Sequence, residues 1–333
     1  MDTAGRSAGV TLCRSGGSTG YREAGAARMV LVALIMYDDD IRERLNPADA
    51  VRWMAEAIDA QHRGELVTPA RVAADVGGGR LVFTTGRRRG AWFGYRSYDS
   101  LPAEPGSQLV VVHDDASGEV LAVAIGNEIG PRRVGAIGAV AADALAPAAA
   151  GVVAVIGTGT QAWFQLWALS AVRELREVRA FSRDPARRAR FTERLAATSD
   201  AICRPAPDAR SAVEGAEIVI LATSSATPVI DASWLTAGAY VTTLGPKQRG
   251  RAEFGLDLPA AAGLLVTDSL AQIDAYDPPN ILVGSPHHGR LVSLGAVRAG
   301  QLTRTAGTGI TLFFSVGLAG TEVFLLDRLA SSR

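Results

Sequence analysis

An apolar, β-branched run at residues 152–156 leads straight into Gly157, Gly159 and Ala162, so that residues 152–162 read VVAVIGTGTQA. Few patterns restrict a fold as tightly. Glycine at 157 permits a tight turn from strand to helix. Glycine at 159 removes the side chain that would hold a ligand off the backbone, and alanine at 162 lets the helix pack close to its strand. The free amides at the start of that helix, with the helix dipole behind them, favour a diphosphate. With 36 glycines in 333 residues the G-x-G-x-x-A spacing alone carries little weight, and the flanks decide. The run before the turn is strand-like, and residues 161–172 combine helix formers with an apolar stripe. The segment predicts a dinucleotide-binding βα turn built by Gly157, Thr158, Gly159, Thr160, Gln161 and Ala162.

The end of the next strand discriminates between dinucleotides. A chain that prefers NAD usually places Asp or Glu about twenty residues on, where it binds the ribose hydroxyls. Here the strand at residues 177–181 ends in Ser182 and Arg183. A hydroxyl followed by a guanidinium suits a 2′-phosphate, and predicts NADP(H) in preference to NAD(H). Arg187 and Arg188, one turn into the following helix, read as a solvated face. Thr223 and Ser224, after the apolar run at 217–221, complete the expected cofactor set.

Zero formal net charge implies neither a nucleic acid nor an anionic membrane as partner. Cys13 and Cys203 form no disulfide framework or metal spacing, which fits a reducing cytoplasm. His62, His113, His287 and His288 supply no zinc motif, so no metal is expected. The apolar run at 29–36 is far short of the roughly twenty residues needed to span a bilayer, and reads as a strand. Residues 1–28, rich in Gly, Ser, Ala and Arg without a period, read as a disordered extension or an upstream start.

Residues 47–62 have helical spacing, with Asn46 as N-cap. From 71 to 125, short β runs separated by glycines predict a mostly antiparallel sheet, with a turn at 114–118. A helix at 133–145 leads into the glycine turn, beyond which strands at 217–221, 240–244 and 263–266 alternate with helices. Residues 309–329 read as one long amphipathic helix packing back across the first unit. The predicted class is α/β: a Rossmann-like doubly wound parallel sheet (133–304) inserted in an α+β antiparallel-sheet unit (29–132 plus 305–333) for substrate binding and dimerisation.

Four runs together carry a family likeness: VIGTGTQA at 155–162, AEIVILATSSATPVI at 216–230, WLTAGAYVTTLG at 234–245 and GITLFFSVGLAGTEV at 309–323. The chain resembles the ornithine cyclodeaminase and mu-crystallin family over about residues 30 to 330. The resemblance implies a homodimer joined through the antiparallel unit, a nicotinamide cofactor, and a small amino, imino or keto acid in the cleft. It also implies that Arg71 and Arg133 bind the substrate carboxylate.

Two positions depart from the family pattern. The family's lysine near the reacting carbon falls on Arg96, a residue that stays protonated at any usable pH. Its aspartate falls on Lys247, reversing the charge, and Val134 stands where a threonine is usual. A site with Arg71, Arg96, Arg133 and Lys247 would repel the cationic amine that cyclodeamination must receive. The expectation is an NADP(H)-dependent oxidoreductase that reduces a small anionic imino or keto acid, or oxidises the matching amino acid. Lys247, its pKa depressed by neighbouring cations, is the first candidate for the proton, with Arg96 beside it. Tyr95, Tyr98 and Asp99 are near in sequence but cannot all face one side of a strand. The alternatives are an NADPH-binding protein without catalysis and, third, a retained cyclodeaminase.

Overall fold

The computed structural model describes residues 33–101, 107–302 and 309–332. Residues 1–28, and the first four residues of the 29–36 run, lie outside the described residues.

Strand β1 (Leu34–Tyr37) is followed by α1 (Asp38–Arg44) and α2 (Pro47–His62), whose start is fixed as the sequence predicts. The Asn46 side chain accepts from the Asp49 N–H at 2.9 Å and Pro47 fills the first helical position. Strands β2 (Leu66–Val67), β3 (Val72–Asp75), β4 (Arg80–Arg88), β5 (Trp92–Asp99), β6 (Gln108–Asp114) and β7 (Val120–Gly126) complete one sheet. Its order is β1-β7-β6-β5-β4-β2, with β3 also on β4, and it is antiparallel except where β1 joins β7. At the β6–β7 turn the Asp114 carboxylate accepts from the Ala116 and Ser117 amides.

Helix α3 (Ile129–Leu145) starts earlier than its apolar pattern suggests, and leads into the second sheet. There β8 (Val152–Ile156), α4 (Thr160–Leu169), β9 (Glu177–Phe181), α5 (Pro185–Ala196), β10 (Ile202–Pro205), α6 (Ala209–Val213), β11 (Ile218–Leu221) and β12 (Tyr240–Thr243) alternate. A small hairpin, β13 (Lys247–Gln248) with β14 (Arg251–Ala252), precedes α7 (Asp257–Ala261), β15 (Ala262–Thr267), α8 (Leu270–Asp274), β16 (Leu291–Ser293) and α9 (Leu294–Arg298). The eight parallel strands run β10-β9-β8-β11-β12-β17-β15-β16, where β17 is Ile310–Phe314. Its central strands are buried on both faces, which is why they read as unbroken Val, Ile and Leu.

The expected single helix over 309–329 is instead β17 followed by α10 (Thr321–Ser331). A short buried strand and a buried helix share one apolar signature, and ITLFF is β-branched and aromatic. Gly317 and Gly320, at φ +91° and +75°, separate the two elements. The segment thus contributes a strand to the parallel sheet as well as a helix to the antiparallel one. Helix α10 reaches the antiparallel sheet because glycine meets glycine there: a Cβ on Gly86 of β4 would lie 2.5 Å from the Gly320 Cα. Trp92 and Gly94 of β5 pack beneath the helix, with Trp92 edge-on to Phe324 and Gly94 against Val323. Among the described residues no helix is long and apolar enough to cross a membrane.

Candidate active site

Strands β8 and β11 end level, Ile156 opposite Leu221, and the chain leaves them in different directions along the sheet. This is the switch point where open parallel sheets bind ligands. Gly157 turns at φ +106°, and a Cβ there would lie 2.2 Å from the Ala222 carbonyl. Gly159 caps α4 in extended conformation and a Cβ there would meet nothing within 4 Å, so the space over the first amides of α4 is open. Ala162 is fully buried against the strand. The Gln161 Oε1 is buried without a hydrogen-bond partner. Open space over a helix N-terminus and an orphaned polar atom beside it fit a bound diphosphate.

At the end of β9, Ser182 Oγ donates to the Asp184 carbonyl, while the Arg183 side chain is exposed with no ion pair among the described residues. Asp184, the one acid nearby, caps α5 by accepting from the Ala186 and Arg187 amides. Arg187 pairs with Asp184, and Arg188 packs over Phe181 and donates to the Ser182 carbonyl. Thr223 is tied to Glu253, which accepts from its N–H at 2.9 Å and its Oγ1 at 2.8 Å, and Ser224 is exposed. Glu253 also accepts from the Gly245 amide, so a single buried carboxylate locks the β11 and β12 loops together.

Across the cleft lies a cavity of about 290 Å³, whose walls include Gln161 and Leu244 from the dinucleotide side and Arg71, Arg96, Arg133 and Val134 from the other. The structure therefore brings three of the four predicted cations together. Arg96 and Tyr98 share the inner face of β5 by strand alternation. Arg133 lies at the start of the second turn of α3. Both Arg96 and Arg133 donate to the same oxygen of Glu322, in the first turn of α10, the former at 2.6 Å. Burial raises the Glu322 pKa, yet Arg133 and Arg96 overcome it and hold the carboxylate down to about 2. Arg96 also donates to Gln108 Oε1. Arg71, by contrast, has no carboxylate in contact among the described residues. It donates to the Val316 carbonyl and, at 3.4 Å, to Tyr98 Oη.

Lys247 stands apart from this wall. It is 1% exposed, not turned to solvent, and its Nζ donates to the Gly245 carbonyl at 2.7 Å. Burial is the main cause that pushes its pKa down to about 8; Arg71 adds to this, while Glu253 and Asp268 oppose it. It does not line the cavity. Asp268, at the end of β15, is likewise buried, and burial raises its pKa against the amides of Val316 and Gly317 that it accepts at 2.9 Å. Those bonds hold the 315–319 segment as one side of the cavity.

Glu253, Asp268 and Glu322 escape sequence reasoning because a carboxylate in a mixed run shows nothing of its burial. Tyr276 and Gln272, which also line the cavity, follow no motif. The fixed acid AGTEV at the start of an apolar helix is the one signal that marks Glu322.

The model of the Ornithine cyclodeaminase/mu-crystallin family matches residues 35–328. An alanine dehydrogenase from Archaeoglobus fulgidus is 27% identical over 301 residues, 87% of this chain and 92% of that one. An uncharacterized cyclodeaminase of Sinorhizobium fredii is 35% identical over 174 residues, 52% of this chain, and the match spans about half of that relative (48%). Among solved structures, Thermococcus litoralis Delta(1)-pyrroline-2-carboxylate reductase in complex with NADH and L-proline superposes with a TM-score of 0.81 at 24% identity, covering 89% of this chain and 96% of that one.

Proposed function

Since the chain belongs to the ornithine cyclodeaminase/mu-crystallin family, we propose that it is a nicotinamide-dependent oxidoreductase that reduces a small anionic imino or keto acid, or oxidises the matching amino acid. The observation that carries this reading is the cavity. It abuts the dinucleotide turn at Gln161, and among the described residues its wall holds three guanidiniums with no Asp, Glu, Lys or His beside them. Glu322 lies behind that wall, engaged with Arg96 and Arg133, and Asp268 faces backbone amides. An incoming ammonium finds no carboxylate to receive it, whereas an anion finds donors on several sides. Arg71, without a carboxylate of its own, is the natural clamp for the substrate carboxylate. Arg133 and Arg96 keep N–H groups for a second acidic group. A bound nicotinamide supplies the hydride, and the protein holds the acceptor and excludes competing geometries. For Lys247 the geometry favours positioning: its buried ammonium donates to the Gly245 carbonyl and ties the hairpin to the end of β12.

Arg183, exposed and without an ion pair among the described residues, beside an Asp184 already engaged as a helix cap, supports preference for the phosphorylated dinucleotide. Homodimerisation is proposed through the outer face of the antiparallel sheet. There Ile35, Val72 and Phe93 are exposed, Phe93 stacks on His113, and Tyr95 lies opposite Val111.

The test is oxidation of NADPH and NADH with a panel of keto acids, with and without amines. Turnover with mono- or dicarboxylic members and none with ornithine is expected. One observation favours a second reading, that of a ligand-binding protein without catalysis: the wall lacks the family's lysine and carboxylate. Tight dinucleotide binding with no turnover across the panel would establish it.

A further inference from the structure

Reduction of a C=N or C=O group needs a proton at the heteroatom, and the family's usual proton-bearing side chain is here Arg96. Guanidiniums do not release protons in proteins. Lys247 is walled off from the cavity, with its ammonium turned to the Gly245 carbonyl. The remaining O–H groups on the wall are Thr84, Ser315, Tyr98 and Tyr276. Aliphatic hydroxyls are poor acids beside a phenol. Tyr276 is half-buried, and its ring lies under Arg71 with the guanidinium carbon 5.6 Å from the ring centre.

Tyr98 differs from Tyr276 in that Arg96 as well as Arg71 meets it. It is half-buried and lines the cavity, as Tyr276 does. Its Oη accepts from Arg71 Nη1 at 3.4 Å, beside the guanidinium assigned to the substrate carboxylate. Its ring lies under Arg96, with the guanidinium carbon 4.3 Å from the ring centre. Two permanent cations thus face the phenol, one at the oxygen and one over the ring.

We propose that Tyr98 is the catalytic proton donor of this cavity, a role that rests on the reductase reading above. Hydride arrives at the substrate carbon from a reduced nicotinamide dinucleotide. The π pair of the C=N or C=O bond moves to the nitrogen or oxygen, which takes the Tyr98 Oη proton. Water returns a proton to the phenolate, and in the oxidative direction the same phenolate accepts the proton. The replacement of lysine by arginine at position 96 and the tyrosine at 98 are then one device: Arg96 provides the charge and Tyr98 the proton.

The variant Tyr98→Phe keeps the ring under Arg96 and removes only the oxygen. The expected result is a kcat lower by about 100-fold or more, with KM and the calorimetric Kd for oxalate, an anion with no reducible carbon, unchanged within about threefold. Replacing Tyr98 by a fluorinated tyrosine, a stronger acid, should move the alkaline limb of the kcat profile to lower pH. Retained kcat in Tyr98→Phe, or an unmoved limb, overturns the assignment alone. Loss of oxalate binding in Tyr98→Phe overturns it in favour of a structural role. No turnover by the unsubstituted protein overturns the reductase reading and the proton donor with it.

Discussion

At the turn after β8 the ligand-facing surface is backbone, while across the cleft, around Arg71, Arg96 and Arg133, it is side chain. The first surface depends on what is missing, the Cβ atoms of Gly157 and Gly159, and tolerates no replacement that restores them. The second depends on which charges sit behind it. Glu322 neutralises part of the cationic wall from beneath, so a lysine can become an arginine at position 96 without leaving an unpaired buried charge. A backbone site is therefore held fixed while a side-chain site is rewired by a few substitutions, and the cofactor half of this molecule says less about its chemistry than the cavity half.

The largest effect that would break this contrast is expected at Glu322. Glu322→Gln leaves Arg96 and Arg133 buried without their carboxylate and should cost about 3–5 kcal/mol of stability in urea unfolding. Its folded pKa of about 2 lies below the ordinary 4.5, so its contribution is complete above about pH 4.5 and is lost as the pH falls toward 2. The acid slope of stability over that window should flatten in Glu322→Gln, and an unchanged slope would show that the two guanidiniums do not depend on this carboxylate.

The glycines sharpen the other half. Gly157→Val combines a left-handed φ with contact on the Ala222 carbonyl and should destabilise the fold by about 3 kcal/mol. Gly159→Ala meets nothing in the protein, so its melting temperature should not move, while dinucleotide affinity measured by cofactor fluorescence falls about tenfold or more. Equal losses of stability in the two variants would mean that Gly159 serves the turn and not the ligand. The smallest effect is expected at the rim: Arg183→Ala should weaken NADPH about tenfold and leave NADH unchanged. A parallel loss for both would place Arg183 outside the 2′-phosphate pocket.

The legibility of the sequence follows the same division. The turn at Gly157, the Asn46 cap and the alternation of β4 to β7 are local, and local patterns are visible in one chain. Residues 309–329 are misread because a strand buried on both faces and a buried helix share one apolar signature, and only the pairing of Thr311 with Tyr240 distinguishes them. The cations were visible as residues, but their partners were not: Arg96 meets Glu322 across 226 positions. Lys247 illustrates the limit best, since nothing in LGPKQRG tells that its ammonium is buried and donates to the Gly245 carbonyl. Tyr98 is separated from Tyr95 and Asp99 only when strand register puts it on the face of Arg96 and the fold brings Arg71 to its hydroxyl.

On the proposed function, hydride passes from the dinucleotide side of the Gln161 boundary to an anionic acceptor held at Arg71. The direct measurement is transfer of deuterium from stereospecifically labelled NADPH to the α-carbon of the amino or hydroxy acid formed from a keto acid, with and without an amine, read by mass spectrometry. The expected result is a labelled product from the unsubstituted protein and greatly reduced label in Arg71→Leu. Stoichiometric NADPH binding with no label in any product would contradict it.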